Sequence, residues 1–304
     1  MKKKRKIGRL ILKFILLGLL FIICYFIGES TYENFKKNEV IEAFKSRAYE
    51  TSEVVQYDTT YFYHKIKREY DYELNDPRNV FYDQAKMNPG VKGDVLLTFQ
   101  APFPYVPVID QVLSAWLGGH AALVVENNRI IQSTGLTSNG LLDISTMINV
   151  ILHRGYDEEN IYGVSAQKAN NYWMTPYRSE SHAEYPYYGR YYRTEIMAIR
   201  TKFEDPLDID SDIDQAVSFA QDKVNRGLYN YLFIFDTKDK FYCTDLVTRA
   251  YASINEVNGR SYSLDDDGFI PSIYDMLLSE DSYLTLYKET KADGIHIYYL
   301  EDVV

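Results

Sequence analysis

The apolar residues of the first 28 positions form one long block, whereas later apolar residues alternate with polar ones. Residues 14–28 (FILLGLLFIICYFIG) contain no charge, and residues 10–12 extend the block past Lys13. A helix needs about 20 apolar residues to cross a bilayer, and a lysine near its end can extend its ammonium group to the headgroups. The pattern therefore predicts a transmembrane helix within residues 1–28.

A basic cluster in front of this block predicts its orientation. The first 13 positions contain seven basic residues and no acidic one, and such clusters stay on the cytoplasmic side of a membrane. We expect residues 1–28 to be an uncleaved anchor in the cell membrane, with the remainder exported. A cleaved signal peptide is the alternative. No small-residue cleavage pattern follows the block, however, and Ile23 before Cys24 does not fit a lipoprotein signal.

The next segment has a helical period. Apolar side chains at Phe35, Val40, Ile41, Phe44 and Ala48 recur about every 3.6 residues. We therefore expect residues 29–89 to form a helical stalk or a helical layer. Turn-forming residues end this segment near residue 90.

From residue 90 onward, short apolar runs between turn residues predict strands. The Asn127-Asn128 pair predicts a hairpin over residues 120–134. Further strands are expected over residues 93–99, 193–201 and 294–303.

Two later segments have the period of helices. Residues 211–227 predict one helix, with Ser211 as its N-cap and Gly227 at its end. The other begins at Cys243. Helices before and after a mostly antiparallel sheet give an α+β class, and we expect residues 90–304 to form one domain.

The charge is divided unevenly along the chain. The net charge is −10, but without the seven basic residues at the start there remain 26 basic against 43 acidic residues, a balance of −17. Such a body is repelled by nucleic acid and by anionic lipid surfaces. We therefore exclude a nucleic-acid partner.

Two other stretches suggest ligands only weakly. Residues 205–214 (DPLDIDSDID) resemble the start of a calcium loop, but Ile213 replaces its turn glycine and Phe219 its final glutamate. Helix capping explains these acids better, and we predict no metal and no cofactor. The tyrosine-rich residues 184–192 could line a substrate groove, although exposed tyrosine is also common in exported proteins.

Cys243 is the only cysteine outside the apolar block, which contains Cys24. An exported chain with one cysteine outside its membrane segment points to a reactive thiol. At the start of a helix, unpaired backbone N–H groups and the helix dipole stabilise a thiolate and can bind an oxyanion. Apolar residues three, four, seven and eleven positions later form a buried stripe, which taken alone favours a cysteine buried in the core. The nearby Asp245 also opposes a thiolate.

A cysteine nucleophile needs a base, which is normally histidine. His120 is the best candidate because it begins a strand after two glycines, which let a substrate backbone approach. The other four histidines lack such a setting. His64 is expected at the surface, and His153 and His182 in loops. His296 alternates within the last strand and could be either a core residue or a partner of the cysteine.

Gln132 interrupts an apolar run on the second strand of the hairpin, so burial there requires a hydrogen-bond partner. It could fix the tautomer of His120. The two side chains share a face of the sheet only if the hairpin loop has an odd number of residues or the hairpin contains a bulge.

Three stretches together resemble one protein family. GDVLLTF (residues 93–99), GHAALVVENNRIIQSTG (residues 119–135) and FYCTDLVTRAY (residues 241–251) are similar, in that order, to the NlpC-type papain-like superfamily. The match is to its circularly permuted YiiX-like branch, related to the lecithin:retinol acyltransferases. Residues 268–288 resemble the proline-containing segment that often follows the cysteine helix in that branch.

This resemblance implies a permuted papain-like fold, in which a small antiparallel sheet packs on the cysteine helix. It also implies Cys243 as nucleophile, His120 as base, Gln132 as third residue and Tyr242 in a supporting role. Relatives often have glutamate or histidine at the third position. Glutamine can orient an imidazole but cannot stabilise an imidazolium by charge.

The expected function is therefore a membrane-anchored, extracytoplasmic thiol hydrolase that cleaves amide bonds, with cell-wall peptides as the implied substrate. Acyl transfer or hydrolysis of a lipid ester or thioester at the same site is one alternative. A catalytically inactive papain-like module that binds wall or membrane components is another, and Gln132 and Asp245 favour it.

Overall fold

A computed structural model describes residues 2–56, 59–86, 88–99, 119–135, 144–152, 163–169, 195–203, 205–233, 238–265 and 270–303. The helices are α1 (Lys2–Ser46), α2 (Asp71–Leu74), α3 (Ile144–Ile151), α4 (Ile209–Lys223), α5 (Cys243–Asn258) and α6 (Ile273–Leu278). The strands are β1 (Ala48–Gln56), β2 (Thr59–Ile66), β3 (Val95–Thr98), β4 (His120–Glu126), β5 (Arg129–Thr134), β6 (Gly163–Lys168), β7 (Glu195–Thr201), β8 (Leu228–Tyr229), β9 (Lys240–Phe241), β10 (Ser282–Thr290) and β11 (Ile295–Leu300).

Helix α1 joins the apolar block to the folded domain without a break. Its apolar part is long enough to cross a membrane and is not buried by the rest of the chain. A signal sequence would have the same properties. The last turns of α1 pack on the domain, where Ile41 and Phe44 are buried.

The expectation of a helical segment over residues 29–89 is wrong beyond residue 46. Strands β1 and β2 pair there as an antiparallel hairpin, and β2 pairs in parallel with β11. The sequence TSEVVQYDTTYFYH (residues 51–64) is rich in β-branched and aromatic residues, which fit a pleated surface better than a helix. Residue 90 therefore does not divide the chain, because strands on both sides of it belong to the same sheet.

All the described strands join one sheet in the order β1-β2-β11-β10-β7-β3-β4-β5-β6-β8-β9. Most neighbours are antiparallel, but β2–β11 and β8–β9 are parallel. The sheet is thus larger than the small antiparallel sheet that was expected, and the overall class is mixed α and β. Strands β3, β4 and β7 are almost wholly buried, which explains their continuous apolar sequences.

The hairpin and the strands expected over residues 93–99, 193–201 and 294–303 form, whereas β6, β8, β9 and β10 were not predicted. Helix α4 differs from its prediction at both ends. It begins at Ile209, after a 3₁₀ turn over Pro206–Asp208, so Asp208 and not Ser211 occupies the N-cap. Asp205 caps the 3₁₀ turn by accepting a hydrogen bond from the Leu207 amide at 2.9 Å. The helix ends at Lys223, before Gly227.

A buried ion pair lies at the start of β3. The Arg200 guanidinium is fully buried and donates to the Asp94 carboxylate at 2.6 Å, and the Asp76 carboxylate lies 3.3 Å away. Burial alone would lower the pKa of Arg200, but the two carboxylates more than offset this and raise it. The network joins β7 to the start of β3, and β3 pairs with β4, the strand that carries His120.

Candidate active site

Cys243 is the first residue of helix α5, directly after the N-cap Tyr242, and it is partly exposed. One turn further on, a buried stripe begins that packs the helix against β4 and β5. All four members of this stripe have no exposed surface: Leu246, Val247, Ala250 and Ile254. Core packing therefore holds the helix, while its first turn presents the thiol.

The first turn of α5 also contains Asp245, the acid expected to oppose a thiolate. Its carboxylate oxygen Oδ1 accepts a hydrogen bond from Arg249 Nε at 2.7 Å, one turn further along the helix. This pairing offsets part of the negative charge beside Cys243. Asp245 therefore disfavours a thiolate at Cys243 less than an unpaired carboxylate would.

His120 and Gln132 lie on the same face of the hairpin and are in contact. His120 Nε2 lies 2.7 Å from Gln132 Oε1, and Gln132 is only 1% exposed. The register shifts between Val124 and Glu126, which places a bulge in β4 before the turn. The bulge is one of the arrangements that the sequence required for these two side chains to share a face.

The hydrogen bond to Gln132 determines which nitrogen of His120 carries the proton. An amide oxygen can only accept, so Nε2 is the donor in the neutral ring. Nδ1 then has the lone pair that can accept a proton. This is the tautomer that a general base needs if Nδ1 is to act on a thiol.

Two hydrogen bonds position the start of α5. Ser133, next to Gln132 on β5, donates its hydroxyl to the Phe241 carbonyl at 2.6 Å, two residues before Cys243. Thr244, directly after Cys243, donates its hydroxyl to the Pro271 carbonyl at 2.5 Å. The cysteine is therefore held from both sides, on one side by the strand that carries Gln132.

The same segment after Pro271 also borders His120. Gly119 precedes His120 with φ +79°, and a Cβ there would lie 2.3 Å from both Ile273 Cδ1 and the Thr98 carbonyl oxygen. Only glycine fits this conformation and this space. Residues adjacent to Cys243 and to His120 thus contact one short segment, Pro271 to Ile273.

Aromatic side chains line the other side of the helix start. The rings of Tyr229 and Tyr231 lie 4.8 Å apart, and Phe233 lies 6.2 Å from Tyr229 and 5.3 Å from Tyr242. Tyr231 donates its hydroxyl to the Gly135 carbonyl at 2.7 Å. This apolar wall adjoins the position of the thiol.

Two of these tyrosines stay neutral. Burial raises the pKa of Tyr229 well above its usual value, and the nearby Cys243 adds to the effect. Burial also raises the pKa of Tyr242, with Asp245 as the next contributor. Sequence reasoning identified only Tyr242, because Tyr229 lies in a short strand with no motif of its own.

The other histidines are not part of this site as far as the structure describes them. His64 lies on β2 and not on a surface helix, and its Nε2 is 3.0 Å from Nδ1 of His296 on β11. His153, His182 and the tyrosine-rich residues 184–192 lie outside the described residues. Within the described ranges, no group of three or more metal-ligating side chains occurs.

Comparison with known proteins adds no family to these observations. A scan against protein-family models, a search of curated proteins and a search of solved structures each found no match to this chain.

Proposed function

We propose that the protein is a membrane-anchored, extracytoplasmic thiol hydrolase with a permuted papain-like domain, which cleaves amide bonds of cell-wall peptides. Cys243 is the nucleophile, His120 the general base and acid, and Gln132 the residue that orients His120. The observation that carries the proposal is the 2.7 Å contact between His120 Nε2 and Gln132 Oε1. This contact leaves the basic lone pair on Nδ1 of His120, which lies on β4. The neighbouring strand β5 is hydrogen-bonded to Phe241, two residues before Cys243.

The reaction begins with proton transfer from the Cys243 thiol to His120 Nδ1. The thiolate then attacks the amide carbonyl carbon, and the negative charge moves to the carbonyl oxygen. Backbone N–H groups at the start of α5 are suited to stabilise that oxygen. The imidazolium donates its proton to the amide nitrogen, the C–N bond breaks, and the amine leaves a thioester on Cys243.

The second half of the reaction releases the acyl group. His120 takes a proton from water, and the hydroxide adds to the thioester carbonyl carbon. The C–S bond breaks, and the product leaves as a carboxylic acid. His120 and Cys243 then return to their starting states. Gln132 holds the ring throughout, but as a neutral group it stabilises the imidazolium only by hydrogen bonding.

The neutral third residue also favours a second candidate, a binding module without catalysis. Purified peptide fragments of cell wall distinguish the two. The hydrolase releases new amine termini, and both Cys243→Ser and His120→Ala abolish that release while the circular dichroism stays unchanged. If the unmodified protein binds the fragments but releases nothing, the hydrolase proposal fails for this substrate and the binding module takes its place.

A further inference from the structure

Contacts along α1 show how this helix crosses the sheet. Lys37 Nζ lies 4.9 Å from the ring centre of Phe99, directly after β3, and 3.8 Å from the carboxylate of Glu195, at the start of β7. Eight residues later, Lys45 Nζ lies 3.1 Å from Glu289 on β10 and 5.4 Å from the ring of Tyr298 on β11. The eight residues from Lys37 to Lys45 span about 12 Å along the helix. Two strand spacings in the sheet are about 10 Å, so the two lengths agree with a helix that runs across the strands.

Helix α1 therefore passes β11, β10, β7 and β3 in turn when it is followed toward its N-terminus. It does so at the sheet end where Thr98 pairs with His120. The next strands in the same direction are β4, β5 and β6, and the edge strand is β9. Ile27, at the end of the apolar block, lies ten residues before Lys37. Ten helical residues span about 15 Å, which equals about three strand spacings.

Helix α3 lies at the edge toward which the apolar block points. Lys240 lies on β9, three residues before Cys243. Its ammonium group donates a hydrogen bond to the Ile151 carbonyl of α3 at 2.8 Å. The helix is anchored by Val150, which is 4% exposed.

An apolar stripe on α3 is left uncovered by the part of the chain that the structure describes. Ile144, Ile148 and Leu152 are 63%, 47% and 51% exposed and follow one another at intervals of four residues, so they share one face. Residues 144–152 (ISTMINVIL) contain no charge. A stripe of this kind on an exported, acidic domain indicates an apolar partner.

We propose that the α3 stripe docks on the surface of the bilayer that α1 crosses, which places the Cys243 site at the level of the lipid headgroups. This inference rests on the proposed membrane anchor. The partner is the boundary between the headgroups and hydrocarbon of zwitterionic lipid, which accepts apolar side chains of a surface helix. The excess of −17 outside the basic cluster excludes attraction to anionic lipid. The contact is therefore insensitive to salt.

The test uses the full chain in phosphatidylcholine nanodiscs, with Cys24→Ser and Cys243→Ser to remove both native thiols. An environment-sensitive fluorophore is attached to Ile148→Cys, and in a second protein to Ile144→Cys. The control is Val257→Cys near the end of α5, an apolar residue that is also 63% exposed. We expect spin-labelled lipid to quench both α3 probes several-fold more than the control, and aqueous iodide to do the reverse, at low and high salt alike.

Equal quenching at α3 and at Val257→Cys would overturn the proposal. So would α3 probes that are shielded from iodide but not quenched by the lipid, because the stripe would then be covered by protein, such as a second copy of the chain. None of these measurements uses enzymatic activity. A failure here is therefore distinct from a failure of the hydrolase proposal.

Discussion

Replacing Gln132 with leucine tests whether this side chain activates the cysteine through His120. Leucine is close to glutamine in size, so the packing of β5 is largely kept, while the amide oxygen that accepts from His120 Nε2 at 2.7 Å is lost. Because Gln132 is 1% exposed, water cannot readily take its place. Loss of one partner of a buried hydrogen bond costs about 1–3 kcal/mol.

This free energy holds the His120 ring in the orientation and tautomer that a base needs. Each 1.36 kcal/mol that is lost corresponds to a factor of ten in rate. We therefore expect alkylation of Cys243 by iodoacetamide at pH 7 to slow roughly 10- to 100-fold in Gln132→Leu. The rate is measured by mass spectrometry in a Cys24→Ser background, so that only one thiol reacts. Gln132→Glu should react at least as fast as the unmodified protein, because a carboxylate accepts the same hydrogen bond and also stabilises an imidazolium.

Gln167→Leu on β6 is the matched control, since Gln167 is exposed and contacts only a neighbouring serine among the interactions described for it. Its alkylation rate should not change. If Gln132→Leu reacts as fast as the unmodified protein while remaining folded, Gln132 does not position the base.

Three further changes test the scaffold around the site. Arg200→Met removes the closest cationic partner of the buried Asp94 and one of the two cationic partners of Asp76. It should lower the free energy of unfolding in urea by about 3–5 kcal/mol, whereas Arg226→Met in an exposed pair should change it by less than about 1 kcal/mol. Equal effects would refute the role of the buried pair. Thr244→Val loses the hydroxyl that holds the start of α5, so Cys243 alkylation should slow several-fold. Thr248→Val, one turn later, should leave the rate unchanged. Equal rates in the two variants would contradict this. Burial, and next the neighbouring His296, lower the pKa of His64 from 6.5. The unfolded chain then binds the proton more readily than the folded protein, so the free energy of unfolding should decline as the pH falls below about 6.5. His64→Gln should reduce that decline. Urea titrations at pH 7.5 and 5.5 that give the same decline in both proteins would rule this out.

Local sequence patterns predicted the elements that carry the candidate site. The first-turn position of Cys243 and its buried stripe follow from helical spacing. The need to bring Gln132 to His120 required either an odd-numbered loop or a bulge in the hairpin, and β4 contains the bulge. These inferences succeed because they depend on neighbours in the chain.

The features that local patterns missed depend on distant parts of the chain. Strand β2 becomes part of the main sheet by pairing with β11, more than 200 residues away, and no local period encodes that contact. The hydroxyls of Ser133 and Thr244 bind backbone carbonyls. Every residue supplies such a carbonyl, so the partner leaves no signature in the sequence.

The most direct test of the central claim is the ionisation of Cys243 in the folded protein. The absorbance of thiolate near 240 nm is titrated with pH in the Cys24→Ser background, and the curve of the same protein with Cys243→Ser is subtracted. We expect a Cys243 pKa clearly below the value of about 8.5 for a free thiol, and a higher pKa after His120→Ala. A thiol that titrates at about 8.5 or above, with or without His120, would contradict it.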